Sequence, residues 1–220
     1  MSHWTDPLRY VACSTGLREG RQSATFSGWW EKSVRSDYML WLLEKVGYSD
    51  DRKLRLLACR FVRDTRADDS RTVWDLLKYD RIRHVVEVAE QYATGQAMKG
   101  ELATAWSAAC AAWAAVDAAW DASEEAAVDA ALDSGLDSGL DAAVEAGWNA
   151  VRVARVLEES LGGGGRVAGR VSAIALAFNQ QANIIRAMIS STEIVWLFER
   201  YIDSLTEKDH PNNQDDDCRD

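Results

Sequence analysis

Proline, histidine and paired cysteine are scarce in this sequence. Its 220 residues include two prolines, at positions 7 and 211, so the long interval between them contains no residue that breaks a helix by lacking a backbone N–H. Three histidines stand far apart and the four cysteines form no CxxC pair, which argues against a zinc site and a disulfide framework. We therefore predict no metal, no other cofactor, and reduced thiols as in a cytoplasmic protein.

The sequence also lacks the segments that would place a chain in a membrane. No run approaches the roughly 18 apolar residues needed to span a bilayer, and no charged-then-apolar signal segment opens the sequence. The formal net charge of -10 argues against duplex nucleic acid as a partner, because neutralising phosphates requires an excess of lysine and arginine. These absences predict a soluble cytoplasmic protein, in the host cytoplasm if a phage encodes it.

Lysine and arginine are missing altogether between residues 101 and 151, where ten acidic residues stand. Eight of these acids recur at every fourth position and form what we call the acidic ridge: Asp117, Asp121, Glu125, Asp129, Asp133, Asp137, Asp141 and Glu145. Like charges four residues apart repel along a helix. The ridge is therefore either a solvated face or a docking surface for a basic partner, or a mimic of nucleic-acid charge. Its first seven residues are the predicted partner-binding residues.

Alanine and tryptophan are abundant in the same part of the chain. Residues 101–159 are alanine-rich and free of proline, which predicts a long helix or a helix pair. Trp106, Trp113 and Trp120 recur every seven residues, so they form one stripe that would face a partner helix.

A tandem repeat interrupts this stretch, because Asp-Ser-Gly-Leu occurs at residues 133–136 and again at 137–140. Each glycine costs roughly 1 kcal/mol relative to alanine inside a helix, so the repeat predicts a kink or a loop between two helices. Alternatively, Gly135 and Gly139 allow another backbone to approach closely.

Apolar residues at helical spacing continue on both sides of residues 101–159. Residues 29–46, residues 73–92 and a final apolar segment interrupted at 190–192 all have this spacing. The pattern predicts an all-α fold, either an antiparallel helical bundle or a helical-repeat array, of about six to eight helices.

Two segments set the predicted domain organisation. Residues 1–206 are expected to form a single helical domain, with a weak sub-boundary at the glycine run 162–165. Residues 207–220 are expected to form a disordered acidic tail.

The helix predicted after Asp50 has the most basic face of the chain: Arg52, Lys53, Arg55, Arg60 and Arg63. This face could receive the acidic ridge within one molecule, which is our first interpretation, or it could bind an anion. The glycine run 162–165 could also hold a phosphate on its free amides with Arg166 and Arg170, although a flexible turn is the preferred interpretation.

Several segments of the chain carry a resemblance. They are DRKLRLLAC at 51–59, VVEVAEQYATG at 85–95, the alanine, tryptophan and aspartate tract after residue 101, DYMLWLL at 37–43 and NQQANIIR at 179–186. Together these segments resemble a group of alanine-rich helical proteins from phages and from bacteria such as planctomycetes, some of them described as immunity proteins.

The resemblance extends over about residues 11–189. It implies an all-helical binding protein in conflict between phages, bacteria or toxins, and it carries over no catalytic residue. The chain departs from the group at Asn183, where an acid is usual, at Tyr38, where tryptophan is usual, and in its glycine run before the last helices.

No combination of serine, histidine and acid falls in a recognisable motif, so we predict that the protein is not an enzyme. The first hypothesis is an immunity or anti-defence inhibitor that engages a basic protein partner through the acidic ridge. The second is a phage-type sponge that sequesters a nucleotide-derived signalling molecule in a pocket of tryptophans and arginines. The pocket residues of this alternative are Trp106, Trp113, Trp120, Arg52, Arg55, Arg166 and Arg170. The third hypothesis is a structural homo-oligomer.

Overall fold

A computed structural model describes residues 3–66, 71–114, 122–160 and 172–208, and its regular elements are all helical. A 3-10 turn at Asp6–Tyr10 precedes eleven α-helices in these ranges, and the one β-bridge they contain joins Arg66 to Thr72. The helices are α1 (Ser14–Gly20), α2 (Phe26–Lys32), α3 (Ser36–Lys45), α4 (Asp51–Asp64), α5 (Val73–Leu76), α6 (Asp80–Ala93), α7 (Lys99–Ala114), α8 (Ala122–Asp133), α9 (Gly139–Ser160), α10 (Ala173–Met188) and α11 (Ser191–Lys208). The predicted all-α fold is confirmed, and the arrangement fits a helical bundle.

The prediction of six to eight helices is too low. Three of the helices, α1, α2 and α5, have seven, seven and four residues, which is too short for a hydrophobic period to show in the sequence. The segment predicted at 29–46 is broken at residues 33–35, where neither glycine nor proline marks an end. The interruption expected at 190–192 is present, because α10 ends at Met188 and α11 begins at Ser191.

Several helix ends follow local sequence signals. The side chain of Asp50 accepts a hydrogen bond from the backbone N–H of Lys53 at 2.9 Å, and this satisfies one of the free amides at the start of α4. Gly47 and Gly95 follow α3 and α6 with φ of 68° and 79°, a left-handed conformation that favours glycine.

Helices α4 and α9 lie side by side at the centre of the fold and run in the same direction, with Asp51 beside Gly139 and the Phe61 ring beside Gly147. Small, fully buried side chains fill the contact between them: Ala58, Ala142 and Ala146. A Cβ added to Gly147 would lie 3.1 Å from the Phe61 ring. The alanine and glycine of α9 thus permit close approach of two helix backbones.

Two hydrophobic clusters flank this central pair. One includes Val62 of α4 and Val85 of α6, together with alanines of α7 and α8. The other includes Phe61 of α4 and reaches the first residues of the chain, α2, α3, α10 and α11; in it Phe26 stacks on Phe198 with ring centroids 3.9 Å apart. Helix α4 therefore contributes apolar side chains to both clusters.

Part of the predicted domain organisation lies outside the described residues. This applies to the sub-boundary at 162–165 and to residues 209–220 of the acidic tail. Helix α11 continues to Lys208, so the helical part extends two residues past the predicted domain end at 206.

Candidate functional site

Arg55 of α4 binds the loop between α8 and α9, residues 134–138. Its side chain is 1% exposed, and its guanidinium donates to the backbone carbonyls of Ser134 at 3.1 Å, Leu136 at 2.5 Å and Asp137 at 2.9 Å. These carbonyls follow the end of α8 and would otherwise lack a partner. The buried cation is thus used on the protein's own backbone, although it is one of the predicted anion ligands.

Asp51 completes this contact at the first residue of α9. Its carboxylate accepts the backbone N–H of Gly139 at 2.6 Å, and a Cβ added to Gly139 would lie 2.3 Å from the Asp51 carbonyl oxygen. The tandem repeat therefore forms a loop, and its second glycine also permits the close backbone approach considered as the alternative. We call Asp51, Arg55 and the 134–138 loop the α4 clasp.

The other cations of α4 do not pair with the acidic ridge. The Lys53 ammonium lies 3.0 Å from Glu193, Arg63 pairs with Glu90, and Arg60 pairs with a carboxylate of its own helix. Arg52 is exposed beside Gly95. Our first interpretation, internal pairing of the basic face with the ridge, is therefore wrong for the ridge side chains that the structure describes.

Two ridge residues of α8 are turned toward α9. Asp129 pairs with Arg152 at 2.5 Å, and Asp133 accepts a hydrogen bond from the Asn149 amide at 2.7 Å. Burial raises the pKa of Asp133 to about 6, although the hydrogen bond from Asn149 opposes that shift. These contacts also show that α8 and α9 are antiparallel, and they make this part of the ridge structural.

The remaining described ridge residues face solvent. Asp137 lies 3.3 Å from Lys99, with both side chains largely exposed. Glu125, Asp141 and Glu145 are exposed, and no cationic group in the described ranges lies within salt-bridge distance of their carboxylates. No cation of the described ranges therefore offsets the charge of these three carboxylates at close range.

The exposed acids of α9 share a surface with a tryptophan. Asp141, Glu145 and Trp148 are four and three residues apart, a spacing that places them on one side of a helix. Trp148 is 50% exposed, and its ring meets Phe178 edge-on at 6.0 Å between centroids. We call these three residues the α9 outer face.

A cavity of about 430 Å³ lies beside Trp148, between α9, α3, α1 and the first residues of the chain. Five of its lining residues are aromatic: Trp4, Trp29, Tyr38, Trp41 and Trp148. Among the described residues, its charged lining residues are Asp37 and Glu44. We call it the aromatic cavity.

Sequence reasoning missed the aromatic cavity, because Trp4, Trp29 and Trp41 lie outside the central tract. One signal was available on α3. Asp37, Trp41 and Glu44 are spaced four and three residues apart, which places two acids and an indole on one side of that helix. The rest of the described lining comes from residues between 4 and 44 and from Val144 and Trp148 of α9, which are far along the chain and which no local pattern connects to the others.

A second, more open cavity of about 790 Å³ lies between α5, α6 and α7. Trp74 lines this cavity, and the centre of its ring lies 4.0 Å from the guanidinium carbon of Arg63 and 5.4 Å from that of Arg83. The buried Nε of Arg83 has no hydrogen-bond partner among the described residues. The charged lining residues of this second cavity are of both signs, Asp80, Arg81, Arg83 and Glu87, and His84 lines it as well.

The predicted ligand-binding residues line neither cavity where the structure describes them. Trp106 is 36% exposed and lies against Gly135, while Arg55 is held in the α4 clasp. Arg52 is exposed and lies in neither lining. The side chain of Trp113, and Trp120, Arg166 and Arg170 entirely, fall outside the described residues, as do Asp117 and Asp121 of the predicted partner-binding set.

Two further searches of the described ranges and three comparisons gave no result that assigns a function. No group of three or more histidine, cysteine, aspartate or glutamate side chains there could hold a metal ion, and no helix there has the length and apolarity to cross a membrane. No model of a known protein family, no curated protein and no solved structure matches the chain. The resemblance to immunity-type proteins therefore stays a prediction, and the functional argument rests on the geometry above.

Proposed function

We propose that this is a non-catalytic binding protein that engages a basic protein partner through the α9 outer face, as an immunity or anti-defence inhibitor would. One observation carries the proposal: two exposed carboxylates, with no cationic neighbour among the described residues, share a helix side with a half-exposed tryptophan. Tryptophan is enriched among the residues that dominate protein–protein binding energy. Carboxylates around such an anchor accelerate encounter with a positively charged surface and disfavour acidic competitors.

The proposed binding surface includes only part of the acidic ridge. Asp129 and Asp133 are engaged by Arg152 and Asn149 of α9, so binding through them would break existing contacts. Asp141 and Glu145 have no such side-chain contact within the described ranges. The partner surface proposed here is accordingly Asp141, Glu145 and Trp148. Asp137 stands four positions before Asp141, just outside this surface.

A capture experiment with a matched control tests the proposal. The full chain is immobilised and exposed to a bacterial lysate, and retained proteins are identified by mass spectrometry. The test variant combines Asp141→Lys, Glu145→Lys and Trp148→Ala. The control combines Glu199→Lys and Asp203→Lys, two exposed acids of α11 with the same spacing and the same change in charge, together with Trp196→Ala, an exposed tryptophan of that helix.

We expect a basic protein to be retained by the natural chain and by the control variant, and lost from the test variant. Retention should also fall between about 50 mM and about 300 mM salt, because ions screen exposed charges. Identical retention by all three proteins would contradict the proposal. A chain that assembles only with itself would instead favour the structural homo-oligomer, and a monomer by light scattering would dispose of that hypothesis.

A second candidate function is sequestration of a nucleotide-derived signal, and the two guanidiniums near the Trp74 ring favour it. A base stacks on an indole, and a guanidinium binds phosphate through paired hydrogen bonds. These residues differ from the ones predicted for the sponge hypothesis. Asp80 and Glu87 in the same lining weaken attraction for an anion.

Thermal unfolding with a panel of cyclic and ADP-ribose-type nucleotides tests this second candidate. A ligand that binds only the folded state raises the melting temperature, and Trp74→Ala should abolish the rise while Trp196→Ala keeps it. No change at saturating concentrations of the whole panel would remove the candidate.

A further inference from the structure

The aromatic cavity has the size and the wall chemistry of a small-molecule site. Its volume of about 430 Å³ lies within the range of roughly 300–1,000 Å³ found for ligand pockets. Four indoles and one phenol ring line it together with aliphatic side chains, so most of its wall is apolar. Such walls bind the apolar body of a ligand, and the few polar groups among them determine which ligand charge the cavity prefers.

The charged groups of the lining are of one sign. Asp37 and Glu44 are the two charged residues that the described part of the chain contributes to the lining, and it contributes no lysine, arginine or histidine. An anionic guest would therefore meet carboxylates and the negatively polarised faces of aromatic rings, with no cation to bind it. A cationic guest meets favourable electrostatics from both kinds of group.

The chain holds two cations of its own beside this lining, Arg35 and Lys45, and each is paired with one of the two acids. The guanidinium of Arg35 donates to both carboxylate oxygens of Asp37, at 2.8 and 2.5 Å, and lies 4.2 Å from the centre of the Tyr38 ring. Glu44 accepts a hydrogen bond from Lys45 at 2.7 Å, with its side chain 51% exposed. A carboxylate has about four lone-pair positions, so both acids keep room for a further donor.

We propose that the aromatic cavity binds an organic cation with an apolar body, either a free amine or a lysine or arginine side chain of another protein. Trp148 is shared between this cavity and the α9 outer face, so a side chain from a protein bound to that face could enter the cavity. The inference does not depend on such a partner, because the cavity can be tested with small molecules alone.

Three probes with the same phenylethyl body test the charge preference by isothermal titration calorimetry on the full chain. Phenethylamine is cationic, 2-phenylethanol is neutral and 3-phenylpropionate is anionic. We expect the amine to bind about 3- to 30-fold more tightly than the alcohol, which is the range that cation–π contacts support, and the anion to bind weakest. Equal affinities, a preference for the anion, or no binding of the amine would each overturn the proposal.

Variants locate the site and separate this proposal from the proposed function. Trp148→Ala should weaken the amine at least about tenfold, because a large apolar contact and an aromatic face are lost together. Trp196→Ala, an exposed tryptophan of α11 that does not line the cavity, is the matched control and should leave binding unchanged. Glu44→Gln should reduce the preference for the amine over the alcohol. Full amine binding by Trp148→Ala would contradict the assignment to this cavity.

Asp141→Lys combined with Glu145→Lys removes the acids of the α9 outer face and keeps every residue that lines the cavity. We expect this variant to retain at least half of the amine affinity even where it no longer captures a protein. Loss of amine binding in it would overturn the assignment, since the acids outside the cavity would then be the site.

Capped peptides distinguish the two sources of the cation. Tighter binding of a peptide that contains lysine or arginine than of phenethylamine would assign the cavity to a protein side chain. The reverse order would assign it to a free amine. Both results support the cation site, and peptides with norleucine in place of the cationic residue should bind at least threefold more weakly.

Discussion

The α4 clasp and the α9 outer face, which both involve the first turns of α9, differ in how their polar groups are satisfied. In the clasp, a buried guanidinium serves three backbone carbonyls and a carboxylate serves the first amide of α9. Three turns of helix further along at most, Asp141, Glu145 and Trp148 face solvent with no cationic neighbour among the described residues. Polar groups that bind one another hold a fold together, whereas polar groups left exposed around an indole are available to a partner.

The largest expected effect of a substitution is in the clasp. Arg55→Met should lower the free energy of unfolding by about 3–5 kcal/mol, because removing one side of a buried polar cluster leaves carbonyls without donors. Arg52→Met, at an exposed position one turn earlier, should change it by less than about 0.5 kcal/mol. Urea unfolding measures both. Similar values for the two variants would mean that the clasp contributes little.

The next effect concerns the glycine at the start of α9. Gly139→Ala should lower the free energy of unfolding by about 1–3 kcal/mol, because its Cβ would lie 2.3 Å from the Asp51 carbonyl oxygen and force the backbones apart. Gly100→Ala is the matched control, because a Cβ there meets nothing within 4 Å. It should be neutral or stabilise by up to about 1 kcal/mol. Urea unfolding measures both variants. An increase in the free energy of unfolding for Gly139→Ala would argue against the close approach.

A pH-dependent effect on stability is expected at Asp133. Like the groups of the clasp, this carboxyl has a hydrogen-bond partner within the protein, Asn149. Burial raises the pKa of this carboxyl to about 6 in the folded chain, above its ordinary value of 3.8. Its stabilising contribution is therefore present below about pH 4 and is lost as the pH rises through about 6. Asp133→Asn should match the natural protein at pH 4 and exceed its free energy of unfolding by about 1–3 kcal/mol at pH 7.

Unfolding curves between pH 4 and pH 7 measure this difference. Asp203→Asn, at an exposed position of α11, should give a difference that stays within about 0.5 kcal/mol at every pH. A flat difference for Asp133→Asn as well would show that its carboxyl is not desolvated.

The smallest effect is expected on the α9 outer face. Asp141→Asn with Glu145→Gln should leave the free energy of unfolding within about 0.5 kcal/mol, because both side chains are exposed and neither carboxylate has a charged partner among the described residues. Asp129→Asn breaks the pair with Arg152 and should cost up to about 1 kcal/mol. A large loss for the outer-face pair would mean that these acids are structural, and the comparison would fail.

Local structure was predictable from the sequence where it depends on neighbouring residues. Asp50 as a helix cap, the end of α6 at Gly95 and the interruption before Ser191 all follow from signals within a few positions. The break between α2 and α3 did not follow, because Ser33 and Val34 carry no recognised stop signal and a tertiary contact has to fix it. There the Arg186 guanidinium donates to the Ser33 carbonyl at 2.6 Å from a helix far along the chain.

The negative charge of the candidate site could be predicted from the sequence, but its geometry only in part. The four-residue step of acids identified a ridge, but Arg55 reaches carbonyls 79 to 82 positions away, and this pairing has no local signature. The aromatic cavity depends on tryptophans from the first residues, α2, α3 and α9 meeting in three dimensions. Composition showed that indoles were plentiful without indicating which of them would converge.

The most direct test of the central claim is the affinity of the captured basic protein for the full chain, measured by calorimetry at about 50 mM and about 300 mM salt. The account predicts at least a tenfold loss of affinity at the higher salt. It also predicts no measurable binding to the Asp141→Lys, Glu145→Lys, Trp148→Ala variant at either salt. Salt-independent affinity that this variant retains in full would contradict the claim that the α9 outer face is the binding surface.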